Sequence, residues 1–134
     1  GCLKVSGLLQ ANVSRDIGFN FLRLGTFLER ADNTARILDV KYWVLLPQHS
    51  YVGSSLDNYQ WGSILRSVSA LRSYAWEYDA ELKAVDIVDF LILNRRMPRS
   101  LAYCYRLIVP VIGRMIHAAL NSTAPTAAAS ATAP

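Results

Sequence analysis

One uninterrupted helical pattern, from residue 14 to residue 46, constrains the fold of this chain more than any other feature. It contains no proline, and apolar side chains recur every three or four positions, as in a helix that packs along one face. Ser14 is a favourable N-cap, and Asp16 would lie in the first turn, where the helix dipole favours a negative charge. The pattern predicts one long helix whose core stripe consists of Ile17, Phe21, Leu24, Leu28, Ala31, Ala35 and Leu38.

Two further segments predict helices after a loop at residues 47–58, which contains Pro, Gly and Ser. The first is predicted over residues 57–78, with an apolar face that consists of Trp61, Ile64, Leu65, Val68, Leu71 and Ala75. The second, residues 86–94, is rich in side chains that favour strand, but no other segment could pair with it. Since Asp86 and Asp89 resemble a cap and a first-turn carboxylate, we predict a short buried helix there.

The last part of the chain predicts a turn and then a helix that contains a proline. Residues 94–97 would form the turn, and Pro98 suits the first position of the following helix. Pro110 must kink or end this helix near Val109, with one or two further turns as far as Leu120.

These segments together predict an all-α fold, an antiparallel helical bundle of four to five helices with one long central helix. Residues 1–120 would form a single helical domain. Residues 121–134 are mostly Ala, Thr, Ser and Pro without a large apolar side chain. Such a segment cannot bury a core, so we predict a disordered tail.

Charge and composition argue against nucleic-acid and membrane partners. The formal net charge is +4, but the basic residues are dispersed, and eleven of the fourteen are arginine. Dispersed arginine more often pairs with carboxylates than forms an electrostatic footprint for nucleic acid. The most apolar run, residues 107–113, is too short to span a bilayer. The hydrophobic content of 52% suggests a surface for a protein partner or missing neighbouring sequence, and it also favours self-association.

The two cysteines and the lack of familiar catalytic motifs restrict the chemistry further. Cys2 and Cys104 lie far apart, without the spacing of a metal site. With no visible signal peptide, we expect free thiols and a cytoplasmic location. The sequence contains no Gly-rich phosphate loop, nucleophile elbow or HExxH motif, and we expect neither a metal site nor a cofactor.

The stretch FLERADNTARILDVKY, residues 27–42, concentrates charges of both signs on the long helix. Side chains three or four positions apart are neighbours on a helix, and this spacing links Glu29, Asp32, Arg36 and Asp39. Three interpretations remain open: a solvated face, a half-buried ion-pair network that fixes the register of the helix, or a functional site. In a functional site, Glu29 would be the acid–base group or ligand, and the arginines would hold an anion.

Three blocks of the sequence resemble the alpha-E domain family, a bacterial all-helical group named for its helical structure and a Glu-Arg motif. The motif corresponds to Glu29-Arg30, and the matching blocks are residues 15–42, 58–74 and 88–104. They occur in the family's order and cover about residues 13–106. The apolar sequence after Cys104 departs from the charged helix that is usual in the family.

The resemblance implies a type of partner but no settled activity. Family members are longer, so the chain would correspond to the later portion of the unit. They are similar to proteins encoded beside ATP-grasp ligases and transglutaminase-like peptidases, which implies one of these enzymes as a protein partner. The residues carried over from the family pattern are Arg15, Asp16, Arg23, Glu29, Arg30, Asp32, Arg36, Asp39, Arg66, Pro98, Arg99 and Ser100.

We therefore expect an accessory helical module of a peptide- or amide-ligase system, which acts by binding a protein partner and is not itself an enzyme. The alternative is an enzyme or small-molecule-binding domain that uses the cluster Glu29, Arg30, Asp32 and Arg36. The candidate binding residues are Arg23, Glu29, Arg30, Asp32, Arg36, Asp39, Arg66 and Arg99, with Glu29 the candidate catalytic group. Partner binding predicts an exposed apolar groove beside the long helix, whereas the alternative predicts a pocket where the charged side chains converge.

Overall fold

The computed structural model describes residues 7–8, 12, 14–44, 54–78 and 81–122. Within residues 14–44, 54–78 and 81–122 the chain forms five helices and no strand: α1 (Ile17–Val44), α2 (Ser55–Ser67), α3 (Leu71–Glu77), α4 (Ala84–Ile92) and α5 (Leu101–Ser122). The predicted all-α fold is therefore confirmed. Most of the predicted loop at 47–58 and residues 123–134 of the predicted tail lie outside the described residues. Residues 121 and 122, which we assigned to the tail, complete α5.

The long helix exists, but a different residue caps it. The backbone N–H of Phe19 donates to the carboxylate Oδ1 of Asp16 at 2.9 Å, so Asp16 occupies the N-cap position that we assigned to Ser14. The helix then runs without a break from Ile17 to Val44. The predicted end at residue 46 lies just outside the described residues.

The predicted core stripe of α1 is only partly confirmed: Leu38 packs against the core cluster, but the fully buried side chains lie on another face of the helix. The buried side chains are Phe19, Phe27, Thr34 and Lys41, whereas three of the predicted ones, Ile17, Phe21 and Leu28, are 53%, 59% and 50% exposed. The buried row recurs every seven or eight residues, and half of it is polar. Hydrophobic periodicity therefore did not identify the side of the helix that is fully buried.

The second predicted helix is in fact two helices, α2 and α3. The chain turns at Ser69, whose φ is 54°, in the left-handed region that residues with side chains seldom occupy. The N–H of Ala70 donates to the carbonyl of Leu65 at 2.7 Å and so closes the end of α2. Neither Gly nor Pro stands at this break, which explains why the sequence suggested a continuous helix.

The short helix predicted at 86–94 is confirmed as α4, which buries Ile87, Phe90 and Leu91. Its N-cap is Lys83, without a side-chain hydrogen bond, and Asp86 lies in the first turn. The predicted cap role of Asp86 is therefore wrong. The apolar face of α4 packs with side chains of α2 and α3 in a core cluster that contains Trp61, Ile64, Leu65, Val68, Ala70, Tyr74, Ile87, Phe90, Leu91 and Met97.

The predicted turn after α4 forms around one asparagine. Oδ1 of Asn94 accepts hydrogen bonds from the N–H groups of Arg96 and Met97, at 2.8 and 2.9 Å. The following helix begins at Leu101 rather than at Pro98, and the N–H of Tyr103 donates to Oγ of Ser100, which caps it.

Pro110 lies inside α5 and does not end it, contrary to one of the two outcomes that we predicted. Proline lacks an N–H, so the carbonyl four residues earlier, on Arg106, loses its helical partner. Both residues are exposed, and that carbonyl therefore has access to water. The cost of the interruption is small on this side of the helix.

Helices α1 and α5 form the principal pair and run antiparallel. Oγ1 of Thr34 donates to the carbonyl of Arg99 at 2.8 Å, just before α5 begins. Further along, the rings of Phe27 and Tyr103 lie with their centroids 6.2 Å apart. As α5 advances it thus contacts ever earlier residues of α1.

Candidate functional site

The charged stretch of α1 divides between two sides of the helix. Glu29 is exposed, and its Oε1 accepts a hydrogen bond from Nδ2 of Asn33 at 3.0 Å. Asp32 and Arg36 form an ion pair of 2.7 Å whose side chains are 57% and 76% exposed. Of the three interpretations of the sequence, the solvated face describes these three charged residues.

The remaining candidates do not converge on Glu29. Asp39 is exposed on α1, and Arg66 is exposed on α2. Arg99 is half-buried in the turn before α5, where its carbonyl accepts the hydrogen bond from Thr34. The candidate residues therefore do not form one pocket around Glu29.

Arg30, the second residue of the Glu-Arg pair, points away from Glu29 and lines a cavity of about 550 Å³. The cavity lies between the first half of α1 and the start of α5. Two further arginines, Arg15 and Arg23, lie on its wall. The other lining residues are Phe19, Leu22, Thr26, Phe27, Pro98, Tyr103 and Leu107. We call this site the arginine cavity.

Aromatic rings support the three guanidinium groups of the arginine cavity. The Cζ atom of Arg15 lies 4.1 Å from the ring centroid of Phe19, and those of Arg23 and Arg30 lie 5.7 and 5.6 Å from that of Phe27. Such cation–π contacts favour the charged group and take up none of its hydrogen-bond donors in a conventional bond. Among the described residues, no carboxylate lies within 4 Å of the guanidinium nitrogens of Arg23 or Arg30.

Behind this cavity lies Cys104, which is fully buried. Its Sγ lies 3.7 Å from the carbonyl oxygen of Pro98 and donates to it. Burial raises the pKa of the Cys104 thiol, and the charges of Arg30 and Arg99 offset only part of that effect. Since only the thiolate is nucleophilic, Cys104 is a packing residue rather than a nucleophile at neutral pH.

Sequence reasoning missed a buried ion pair between α1 and α2. Nζ of Lys41 lies 2.6 Å from Oδ1 of Asp57 and 2.7 Å from Oε1 of Gln60, and the two charged side chains are 2% and 6% exposed. The ammonium group also lies 5.0 Å from the ring centroid of Trp61. The sequence did contain one signal that Lys41 is buried: it follows Thr34 by seven residues, the spacing of the buried row of α1. This pair connects two helices and is structural.

Three residues of the predicted core stripe of α1, Ile17, Phe21 and Leu28, form one half of an exposed apolar surface. The other half is a row on α5 that recurs every three or four residues and is 41% to 70% exposed: Tyr105, Val109, Ile112, Ile116 and Leu120. Successive residues of a helix are rotated by about 100° around its axis. On each of the two helices, the exposed row is therefore rotated by roughly a third of a turn from the buried residues, and the direction of this rotation, viewed along the chain, is the same on both. Because the helices are antiparallel, equal rotations bring both rows to the same side of the pair. We call this surface the α1–α5 apolar face.

At one end, the α1–α5 apolar face continues into a groove of about 440 Å³ between α1, α2, α4 and α5. Its walls are mostly apolar and include Leu38, Trp61, Val88, Ile92 and Leu101. On both helices the residues that line the arginine cavity are rotated from the buried residues in the opposite sense to the exposed rows. The cavity therefore lies on the opposite side of the α1–α5 pair. The two sites are therefore separate.

Two searches of the described residues bear on other classes of site. Among residues 14–44, 54–78 and 81–122, no three His, Cys, Asp or Glu side chains are grouped so that they could hold a metal ion. No helix in this part of the chain has the length and hydrophobicity that crossing a membrane requires.

Comparison with known proteins identifies the family. Residues 1–133 match Alpha-E, described as a predicted alpha-helical domain with a conserved ER motif, and the Glu-Arg pair of this chain is Glu29-Arg30. The match extends beyond residues 13–106, where we found the resemblance, and includes the apolar α5. No curated protein and no solved structure matches the chain. The family match covers essentially the whole chain, which therefore belongs to the Alpha-E family.

Proposed function

We propose that this chain is a helical binding module that docks a protein partner on the α1–α5 apolar face. The observation that supports this most is the exposure of two apolar rows on one side of the same helix pair. On α1 these include Ile17, Phe21 and Leu28, each at least half exposed. Proteins that remain monomeric rarely expose a contiguous apolar surface of more than a few hundred Å².

The shape of the face favours an amphipathic helix as the docked element. Two helices that lie side by side leave a shallow channel between their exposed rows, and both rows repeat at helical spacing. A partner helix with apolar residues at positions i, i+3 or i+4 and i+7 would place them in this channel. Burial of each large apolar side chain contributes up to about 1.5–3 kcal/mol when it is complete.

Charges along the two edges of the face would set the direction of the docked helix. On α1 the outer edge carries Asp39 and the ion pair of Asp32 with Arg36, and on α5 it carries Arg106. Opposite charges at the rim influence orientation and association rate more than affinity. We therefore expect basic residues on the flank of the partner helix that faces α1, and acidic residues on the flank that faces α5.

The partner that we propose is an enzyme of a peptide- or amide-ligase system, either an ATP-grasp ligase or a transglutaminase-like peptidase. The resemblance of the sequence to the family supports this choice. The proposed setting is the cytoplasm, which accords with the free, buried thiol of Cys104. The alternative, a site built from Glu29, Arg30, Asp32 and Arg36, has less support, because Glu29, Asp32 and Arg36 are exposed on α1, whereas Arg30 lines the arginine cavity.

The test combines one change on each row, Phe21→Glu and Ile112→Glu, in the same chain. Binding to the purified ligase and to the purified peptidase is measured by calorimetry, and self-association by light scattering. We expect the parent chain to bind one of the enzymes and the double variant to lose at least a hundredfold in affinity, since two charges would be desolvated. Trp76→Glu is the matched control, because Trp76 is 93% exposed on α3, which contributes no residue to the face or to the groove that continues it.

Two results would overturn the proposal. One is that the double variant binds the enzyme as tightly as the parent chain does. The other is that the parent chain binds neither enzyme and instead self-associates in a way that the double variant abolishes. The face would then be an interface between copies of this chain.

A further inference from the structure

We infer that the arginine cavity is a binding site for a small molecule that carries a phosphate group. This site is independent of the apolar face, because it lies on the opposite side of the α1–α5 pair. Three guanidinium groups line one concave surface. Arg23 and Arg30 have no carboxylate partner among the described residues, so a ligand with about two negative charges would match them.

The hydrogen-bond donors of Arg23 and Arg30 are available within the described part of the chain. Neither guanidinium donates to another described side chain or carbonyl; each instead contacts aromatic rings. A guanidinium is a planar fork that matches the oxygens of phosphate or carboxylate in pairs. The hydroxyl of Thr26 already donates to the carbonyl of Leu22 at 2.8 Å, so the arginines are the donors that would select the ligand.

Phosphate fits this arrangement better than a carboxylate does. A carboxylate has two oxygens and one negative charge, and a single arginine fork satisfies it. A phosphate monoester presents three terminal oxygens and about two charges, which several arginines can share. Arg23 and Arg30 lie seven residues apart on α1, Arg15 lies just before this helix begins, and all three side chains line the same cavity.

The size and lining of the cavity indicate that the ligand carries an organic group attached to its phosphate. Its volume of about 550 Å³ lies in the range typical of small-molecule sites, and inorganic phosphate is much smaller. Phe19, Phe27 and Tyr103 are on its wall, and aromatic side chains favour a flat or apolar group. A phosphate monoester of a small aromatic or apolar alcohol therefore combines the features that the cavity recognises.

The test titrates the chain with phenyl phosphate, inorganic phosphate and benzoate by calorimetry. We expect phenyl phosphate to bind at least tenfold more tightly than benzoate, which has the same ring and a carboxylate, and more tightly than inorganic phosphate, which has no ring. Arg23→Gln and Arg30→Gln should each weaken phenyl phosphate binding about tenfold or more, because each removes a charge-assisted pair of hydrogen bonds.

Matched variants separate loss of the site from loss of the fold. Arg66→Gln removes an exposed arginine on α2 and should leave phenyl phosphate binding unchanged. Arg23→Lys and Arg30→Lys keep the charge but not the fork, so they should retain part of the affinity. Circular dichroism confirms that each variant is folded before its titration is interpreted.

Several outcomes would overturn the inference. Affinity for phenyl phosphate within twofold of the parent in both glutamine variants would place the anion elsewhere. Equal affinity for benzoate and phenyl phosphate would exclude selection of phosphate, and no binding by the parent chain at millimolar concentration would exclude the site. The Phe21→Glu and Ile112→Glu double variant should bind phenyl phosphate normally, so failure of the partner-binding proposal and failure of this one are distinguishable.

Discussion

Positive charges in the two halves of α1 have different surroundings. Near its C-terminal end, the ammonium group of Lys41 lies against Asp57 and Gln60 in an environment that excludes water. In its first half, Arg23 and Arg30 lie over aromatic rings, without a carboxylate within reach among the described residues. The first arrangement satisfies the charge and so supports the fold. The second leaves donors available, which is what a ligand site requires.

The largest expected effect comes from breaking the satisfied pair. Lys41→Met would leave the carboxylate of Asp57 buried without its cation, and we expect the free energy of unfolding to fall by about 3–5 kcal/mol. Urea denaturation measures this change. Adding Asp57→Leu to the same chain should restore most of the loss, because removing both charges leaves no uncompensated one.

The control for this prediction is Lys83→Met, which breaks an exposed pair with Glu81 at 3.0 Å and should leave the melting temperature unchanged. If Lys41→Met cost no more than its control, the buried pair would be irrelevant to stability. The contrast between the two ends of α1 would then disappear.

The opposite end of α1 should respond differently to the same kind of change. Arg30→Met keeps a long apolar side chain beside Phe27 and removes a charge that has no carboxylate partner within the described part of the chain. We expect the free energy of unfolding to stay within about 0.5 kcal/mol of the parent value or to rise, while binding of phenyl phosphate is lost. A destabilisation as large as that of Lys41→Met would instead make Arg30 a structural residue.

A smaller effect, on pH dependence, concerns the thiol behind the arginine cavity. Because burial raises the pKa of Cys104 above its ordinary 9.0, the unfolded chain loses this proton first as the pH rises. The contribution to stability is fully present well below pH 9.0 and is lost as the pH rises through the pKa of the folded state. Urea denaturation at increasing pH should show this decline.

The same series with Cys104→Ala separates the thiol from other groups. The variant should be less stable at neutral pH, because it leaves a cavity, but its stability should decline less as the pH passes 9.0. Measurements stay below pH 10.0, the ordinary pKa of Tyr74, which burial also raises. Equal slopes for parent and variant would show that Cys104 does not titrate in this range.

The smallest expected effect is at the exposed residue of the Glu-Arg pair. Glu29→Gln keeps an oxygen that can accept the hydrogen bond from Asn33, and the side chain is surrounded by solvent. We expect no measurable change in melting temperature or in phenyl phosphate binding. A loss of stability would support the interpretation of the charged stretch as an ion-pair network. A loss of phenyl phosphate binding would show that Glu29 contributes to the ligand site.

Local patterns were sufficient for the helices themselves. The long run without proline predicted α1 to within a few residues, and the short apolar run at 86–94 predicted α4. Both predictions depend on interactions between neighbours along the chain. The break between α2 and α3 was missed, because Ser69 adopts a left-handed conformation and no Gly or Pro at this position indicates a turn.

Local patterns did not predict which side of α1 faces the core. The helix has two apolar faces, and the one with the more regular apolar spacing contains Phe21 and Leu28, which are exposed. The buried row contains Thr34 and Lys41, which appear polar in any hydrophobicity pattern. Lys41 is buried only because Asp57 and Gln60, on another helix, satisfy its charge.

The sequence by itself determined the helical class, the position of the long helix and membership of the Alpha-E family, since these follow from local spacing and short motifs. The tertiary structure decided which charges are buried, which arginines share a cavity and which apolar row remains exposed. Each of these depends on the partner that a side chain meets across helices. Residues such as Lys41 and Asp57, or Phe27 and Tyr103, meet only after the chain has folded.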